Sequence, residues 1–193
     1  MSKGDDTRQA ILQSGLEMAS RIGLEQVTIG NLARQSGLSK SGLYAHFQAK
    51  ETLQIEILQL AGQIFAASVL LPALRGASGI DRIRRVVANW CAWNENLSGG
   101  CVFASACNEY RDRPGRVRDF VVAQQREWLA SLQRLAQSAV EIGDFRSDID
   151  SAQFAYDLYA SLLGFHLFRN MLDLPEAAQR QEQALEQLLD NYR

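Results

Sequence analysis

Apolar residues recur along the chain at spacings of three, four and seven, separated by short polar breaks, and no stretch alternates as a half-buried strand would. With Asp5 or Asp6 as its cap, a first helix is predicted to about Arg21. Its inner face is Ala10, Ile11, Leu12, Leu16 and Ala19, and Gly23 stops it. Thr28 and Ser39 can cap two short helices, Ile29–Ser36 and Lys40–Phe47, on either side of Gly37 and Leu38. A long helix follows from Lys50 to about Leu71, with the stripe Leu53, Ile57, Leu60, Ile64 and Leu71. Breaks at 75–79, 97–100, 111–115 and 143–144, then one near Pro175, separate five more helices. Ser78 is the cap expected for the first of these, and Asp150 with Gln153 opens the helix predicted to run through Leu172. The pattern predicts nine helices and no repeat.

Composition agrees. Ala, Leu and Gln number 24, 25 and 17, against 9 Val, 10 Ile and 3 Thr, so helix formers outweigh strand formers and the fold class is all-α. The 193 residues change character near residue 50, with short helices before it and long ones after. The expected organisation is therefore a small domain at 1–49 and a larger one at 50–193. At 47% apolar and 22% charged, a disordered or fibrous chain is excluded. No uninterrupted apolar run reaches the ~18 residues of a membrane span. Ser68 and Pro72 break the run at 64–74, and Asp157 and His166 the run at 154–168. The polar start lacks a signal-peptide core, so the expected location is cytoplasmic, with no membrane partner.

Cys91, Cys101 and Cys107 show no C-x-x-C spacing, and only His46 and His166 could join them. Reduced thiols are expected, with no metal and no cofactor. Nucleophile-elbow, zincin, P-loop and dinucleotide motifs are absent, and the two histidines stand 120 residues apart. An enzyme is not expected.

The net charge of −2 requires any nucleic-acid contact to be a local patch. One is present. Residues 26–50 contain no Asp or Glu, where the chain average would place about three, and they carry Arg34, Lys40 and Lys50. Two short helices around a glycine turn make a helix-turn-helix, with Ala33 at the crossing and Ile29, Leu32, Leu38, Leu43 and Phe47 pinning it to the first helix. Leu43 and Phe47 bury one face of the second helix, which leaves Lys40, Ser41, Tyr44 and His46 outward. Those side chains, with Gly42 allowing close approach, suit base edges and phosphates, and Lys50 opens the next helix, where an anion is favoured.

Residues 7–55 resemble the DNA-binding domain of the TetR family, through the stretch from Gly23 to Leu53 and above all Gly42-Leu-Tyr-Ala-His-Phe47 followed by Lys50-Glu-Thr-Leu53. The resemblance implies a homodimer on double-stranded operator DNA, usually released by a small-molecule inducer. By position it implies phosphate contacts at Thr28, Tyr44, His46 and Lys50. Ser39 caps the reading helix, and Lys40, Ser41 and Gly42 lie nearest the bases. Gly30 sits unfavourably inside the short first helix. A repressor is the expected role, with an activator or a ligand-independent helical adaptor as alternatives.

In the resembling family the C-terminal half holds the ligand and the dimer seam. Phe154, Leu158, Leu162 and Phe165, with Leu185, Leu188, Leu189 and Tyr192, are the stripes expected at the seam. Trp90, Trp93, Phe103, Cys107, Tyr110, Phe120, Trp128, Tyr159 and His166 are the residues expected around an apolar or aromatic ligand, with Asn94, Asn108 and Glu109 as further polar groups. Two arginine groups, Arg82, Arg84 and Arg85, and Arg111, Arg113, Arg116 and Arg118, interleave with aspartates and read as partly paired surface.

Overall fold

Side chains set several helix starts. Thr28 Oγ1 accepts from Asn31 N at 3.0 Å, Ser39 Oγ from Gly42 N at 3.1 Å, and Asp150 Oδ1 from Ala152 N and Gln153 N at 2.9 and 3.1 Å. The computed structural model describes residues 3–37 and 39–193, so the core position expected of Leu38 lies outside the described residues. Nine helices run through them: α1 Lys3–Ile22, α2 Ile29–Ser36, α3 Lys40–Phe47, α4 Lys50–Gly76, α5 Gly79–Asn96, α6 Val102–Glu109, α7 Arg116–Glu141, α8 Ser151–Asn170 and α9 Ala177–Tyr192. A 3₁₀ turn, Leu24–Gln26, joins α1 to α2. No strand occurs among the described residues, and the all-α expectation holds.

The chain packs as two compact units. One holds the helices up to Phe65 together with Asn96–Ala123, and the other holds Ala66–Glu95 and Gln124–Arg193. In the first, α1 packs on α2 and α4. Its core includes Ile11, Leu12, Leu16, Met18, Leu24, Val27, Leu32, Leu43, Phe47, Leu53 and Ile57. In the second, α8 packs along α9, and Phe145, Phe154 and Tyr192 form a ring cluster with centroids 5.1–5.8 Å apart.

Four local expectations need correction. Helix α1 begins at Lys3, so Asp5 and Asp6 lie inside it, and Ala10 is exposed while Met18 is buried. Helix α4 continues past Leu71 to Gly76 through a π-helical stretch, Ala66–Leu70. That extra residue shifts the helix phase, burying Val69 and Ala73 and leaving Leu71 exposed, and it falls just before Pro72, which has no N–H to give. Because the break is a π turn and the charges sit near the two ends, α4 is long and apolar enough to cross a membrane by length and composition, which counting uninterrupted runs missed. Its N-terminal half is nevertheless a core helix, with Leu53, Ile57, Leu58 and Ala61 fully buried. At the start of α5 the side-chain cap comes from Asp144, whose Oδ2 accepts from Ile80 N at 2.9 Å, instead of from Ser78.

Candidate nucleic-acid interface

The acid-free segment folds into a tight pair of helices. Gly37 joins them at φ +70°, a left-handed conformation that suits glycine. Leu32, Leu43 and Phe47 turn inward, and Arg8 on α1 lies over the Phe47 ring, 5.2 Å from its centroid. What remains outside α3 is polar. Lys40, Ser41 and Gly42 are exposed, Tyr44 is 55% exposed, and His46 is half-buried with its ring 6.0 Å from that of Phe47. Ser39 and Ser41 hydroxyls lie 3.2 Å apart at the mouth of α3. Thr28 is half-buried at the N-terminus of α2. Gly30 has a place in this arrangement: a Cβ there would meet the Lys40 Cε at 3.7 Å, so the lysine stem lies across the first turn of α2. The cation of α3 and the free N–H groups of α2 thereby share one neighbourhood, which suits a phosphate.

Lys50 is differently placed. Its Nζ donates to Glu25 Oε1 at 2.6 Å. The same carboxylate meets Arg113 Nη1 at 3.1 Å and accepts from the Tyr110 hydroxyl, at Oε2, at 3.1 Å. Burial pushes the Glu25 carboxyl up, but the Lys50 hydrogen bond and charge, with Tyr110 and Arg113, hold it below the usual 4.5. Burial and the Glu25 charge push the Tyr110 phenol well above its ordinary value. Behind this group, Glu109 caps the 3₁₀ turn, accepting from Leu24 N at 3.1 Å and Glu25 N at 2.8 Å. Its carboxylate comes so close to Gly23 (φ +94°) that a Cβ there would stand 3.0 Å from it. Buried Gln54 donates to Leu24 O at 2.8 Å and fixes the same turn to α4. Glu25, Gln54 and the structural role of Glu109 were missed in the sequence. Each partner is 25 or more positions away, and only the carboxylate flanking the acid-free window hinted at the first.

The residues expected around a ligand fall in both units. Phe103, Cys107, Tyr110 and Phe120 belong to the first, where Phe103 packs edge-on to Phe65 at 6.4 Å and Tyr110 gives its hydroxyl to Glu25. Glu109 is likewise engaged with the backbone of the first unit. Trp90, Trp93, Trp128, Tyr159 and His166 belong to the second. Trp90 is core there, edge-on to Phe165 at 6.2 Å. His166 Nδ1 lies 2.7 Å from Oδ1 of fully buried Asn94, Asn170 joins them, and burial holds the imidazole below its ordinary 6.5. Tyr159 donates to Gln125. A recess of about 290 Å³ in the second unit lies elsewhere, between α5 and α9, lined by Val87, Cys91 and Leu185 with the bidentate Arg84–Glu186 pair at 2.7 Å on its edge. Burial, with the Glu95 charge, lifts the Cys91 thiol to about 12, which favours the protonated form. The arginines read as partly paired surface include three held this way: Arg84 on Glu186, Arg111 on Asp112 and Arg113 on Glu25.

Most of the stripe expected at the seam lies in the chain's own core. Phe154, Leu158, Leu162, Phe165, Leu185 and Leu189 are buried within the chain, and Leu188 and Tyr192 are half-buried, Tyr192 against Phe154 and Phe145. These residues hold α8 and α9 together inside one subunit. A second apolar stripe, on the other side of α8, carries Tyr156, Ala160, Leu163 and Leu167, all exposed, and continues to Met171.

An outward polar face on the second helix of a capped helix pair, free of carboxylates, defines a helix-turn-helix DNA-binding protein. Residues 11–57 match the model of bacterial regulatory proteins of the tetR family, and residues 79–185 match the tetracyclin repressor-like C-terminal domain. The chain belongs to the TetR family of transcriptional regulators, with an N-terminal DNA-binding and a C-terminal ligand-binding domain, and is not an enzyme. Over 59 residues it is 32% identical to the HTH-type transcriptional regulator AcrR of Shigella flexneri, a match covering 31% of this chain and 27% of that protein. In three dimensions it is similar to a TetR-family regulator from Cytophaga hutchinsonii (TM-score 0.85, 20% identity, 100% of this chain and 98% of the other). It is also similar to one from Chloroflexus aurantiacus (TM-score 0.82, 25% identity, 98% and 96%).

Proposed function

We propose that the chain is a cytoplasmic repressor. It binds a pseudo-palindromic operator as a homodimer and is released by a small apolar or aromatic inducer. The observation that carries this reading is the division of α3 into a buried face, Leu43 and Phe47, and an exposed face, Lys40, Ser41 and Tyr44, inside a segment with no carboxylate. In this reading Lys40, Ser41 and Gly42 enter the major groove, with Ser39 capping their helix. Thr28, Tyr44, His46 and Lys50 contact phosphates on either side. Residues 1–49 read the DNA, and residues 50–193 supply inducer binding and dimerisation. The exposed stripe Tyr156, Ala160, Leu163 and Leu167 is the surface offered to the second copy, since an apolar helix face of this length is rarely left to water. Trp93, Trp128 and Tyr159, with half-buried His166, supply an aromatic surface and one polar group for the inducer. The C-terminal stretch thus combines a seam and a sensor on shared helices.

A titration of the purified chain against duplex DNA from upstream of its own coding sequence tests this. Affinity is expected to fall steeply with salt, and two half-sites about one helical turn apart, or slightly more, are expected in the footprint. Absence of binding at low salt would overturn it.

A further inference from the structure

The proposed DNA contacts include one cation that is already occupied. Lys50 and Glu25 are the two ends of the carboxylate-free window: Glu25 is the last acid before it, and Lys50 its final residue. Folding brings them to 2.6 Å. Both side chains keep about a third of their surface in water, 36% for Lys50 and 29% for Glu25, so the pair is of the weak, exchangeable kind. Glu25 is the better anchored of the two. The Tyr110 hydroxyl donates to its Oε2, Glu109 and Gln54 fix the backbone on which it sits, and Arg113 lies beside Oε1.

We propose that Glu25 is a positioning residue for DNA binding, a fixed carboxylate that competes with a DNA phosphate for the Lys50 ammonium and so holds one backbone contact in reserve. This rests on the reading of α3 and Lys50 as the DNA-facing surface. Lys50 stays shared between Glu25 and phosphate even on DNA, so its backbone contact is only partly made in the wild-type chain. Part of that contact is therefore offset by the ion pair it weakens, and the carboxylate left beside the duplex is shielded by Arg113. Affinity for any sequence is set lower than the count of basic residues implies, while base readout by α3 is untouched, because Lys50 reaches only the backbone.

The test is a salt titration of the full-length chain on a mixed-sequence duplex, followed by fluorescence anisotropy. Glu25→Gln is expected to bind more tightly at low salt, with the slope of log K against log salt steeper by up to about 0.9 per chain, the value of one phosphate contact made in full. Between roughly 50 and 200 mM salt its advantage is expected to shrink by up to about threefold per chain. Removing a negative charge near DNA also helps at long range, so the decisive arm is the double variant Glu25→Gln/Lys50→Gln. Measured against Lys50→Gln alone, competition requires the added salt slope to vanish there, and a steeper slope that survives overturns the proposal. Glu25→Asp keeps the net charge but withdraws the carboxylate by one methylene, and a slope between those of wild type and Glu25→Gln is expected. An unchanged slope in Glu25→Asp also overturns it, including where Glu25→Gln fails to fold. If the wild-type chain ignores duplex DNA altogether, the DNA-binding reading itself has failed; wild-type binding with variants that match it removes only the role of Glu25.

Discussion

Helices α3 and α8 both carry apolar residues at helical spacing, yet their sequences disclose their working faces unequally. In α3 the two large apolar residues, Leu43 and Phe47, are both core, and everything that can touch DNA lies on the remaining surface. Inside and outside are therefore separable by residue type. In α8 apolar residues surround the axis. Phe154, Leu158, Leu162 and Phe165 go inward, and Tyr156, Leu163 and Leu167 go outward. Both stripes follow helical periodicity, and nothing in the spacing says which one meets the chain's own core. A helix with one apolar stripe reports its orientation, whereas a helix with two reports only that it has a second partner to meet.

The largest expected effect separates those two stripes. Leu158→Ala removes a fully buried side chain and is expected to cost about 2–5 kcal/mol, lowering the melting temperature by roughly 5–15 °C. Leu163→Ala is expected to change it by much less within a subunit. Equal destabilisation by the two would erase the distinction. Next in size is association. Leu163 and Leu167 are 37% and 45% exposed, and Leu163→Glu/Leu167→Glu is expected to leave a folded chain that sediments as a monomer. Its association should weaken about a hundredfold, as expected for charging two apolar positions at the centre of a seam. A variant that remains dimeric would move the seam elsewhere.

On α3 the effect is smaller and of a different kind. Tyr44→Ala is expected to weaken DNA binding by about tenfold at every sequence tested, the size of one lost hydrogen bond to a charged group, with the fold intact. A loss confined to one base pair would make Tyr44 a base reader instead. The smallest effect is in pH. Burial holds His166 below 6.5, so the unfolded chain takes up a proton before the folded one does. Its stabilising share is present above 6.5 and is lost as pH falls. A modest drop in melting temperature is expected between about pH 7.5 and 5.5, flattened in His166→Gln. Glu25, held below 4.5, keeps its charge through that window and loses its stabilising share only at lower pH.

The same contrast explains what the sequence disclosed. Caps at Thr28, Ser39 and Asp150 and the glycine turn at Gly37 act over three or four residues, so their chemistry is visible locally. The π turn before Pro72 was hidden because a single added residue leaves composition unchanged while rotating every later side chain. The Glu25 group was hidden because its members, at 25, 50, 110 and 113, meet only after folding. Glu109, taken for a polar group near a ligand, is spent on the N–H groups of Leu24 and Glu25. The ligand residues were the least legible. Aromatic side chains at helical spacing serve core and pocket alike, and Trp90 against Phe165 is core.

A footprint of the full-length chain on the DNA upstream of its own coding sequence bears most directly on the role assigned to α3. Two protected half-sites related by a two-fold axis, about one helical turn apart or slightly more and lost as salt rises, are expected. Protection without two-fold symmetry, or none even at low salt, would contradict it.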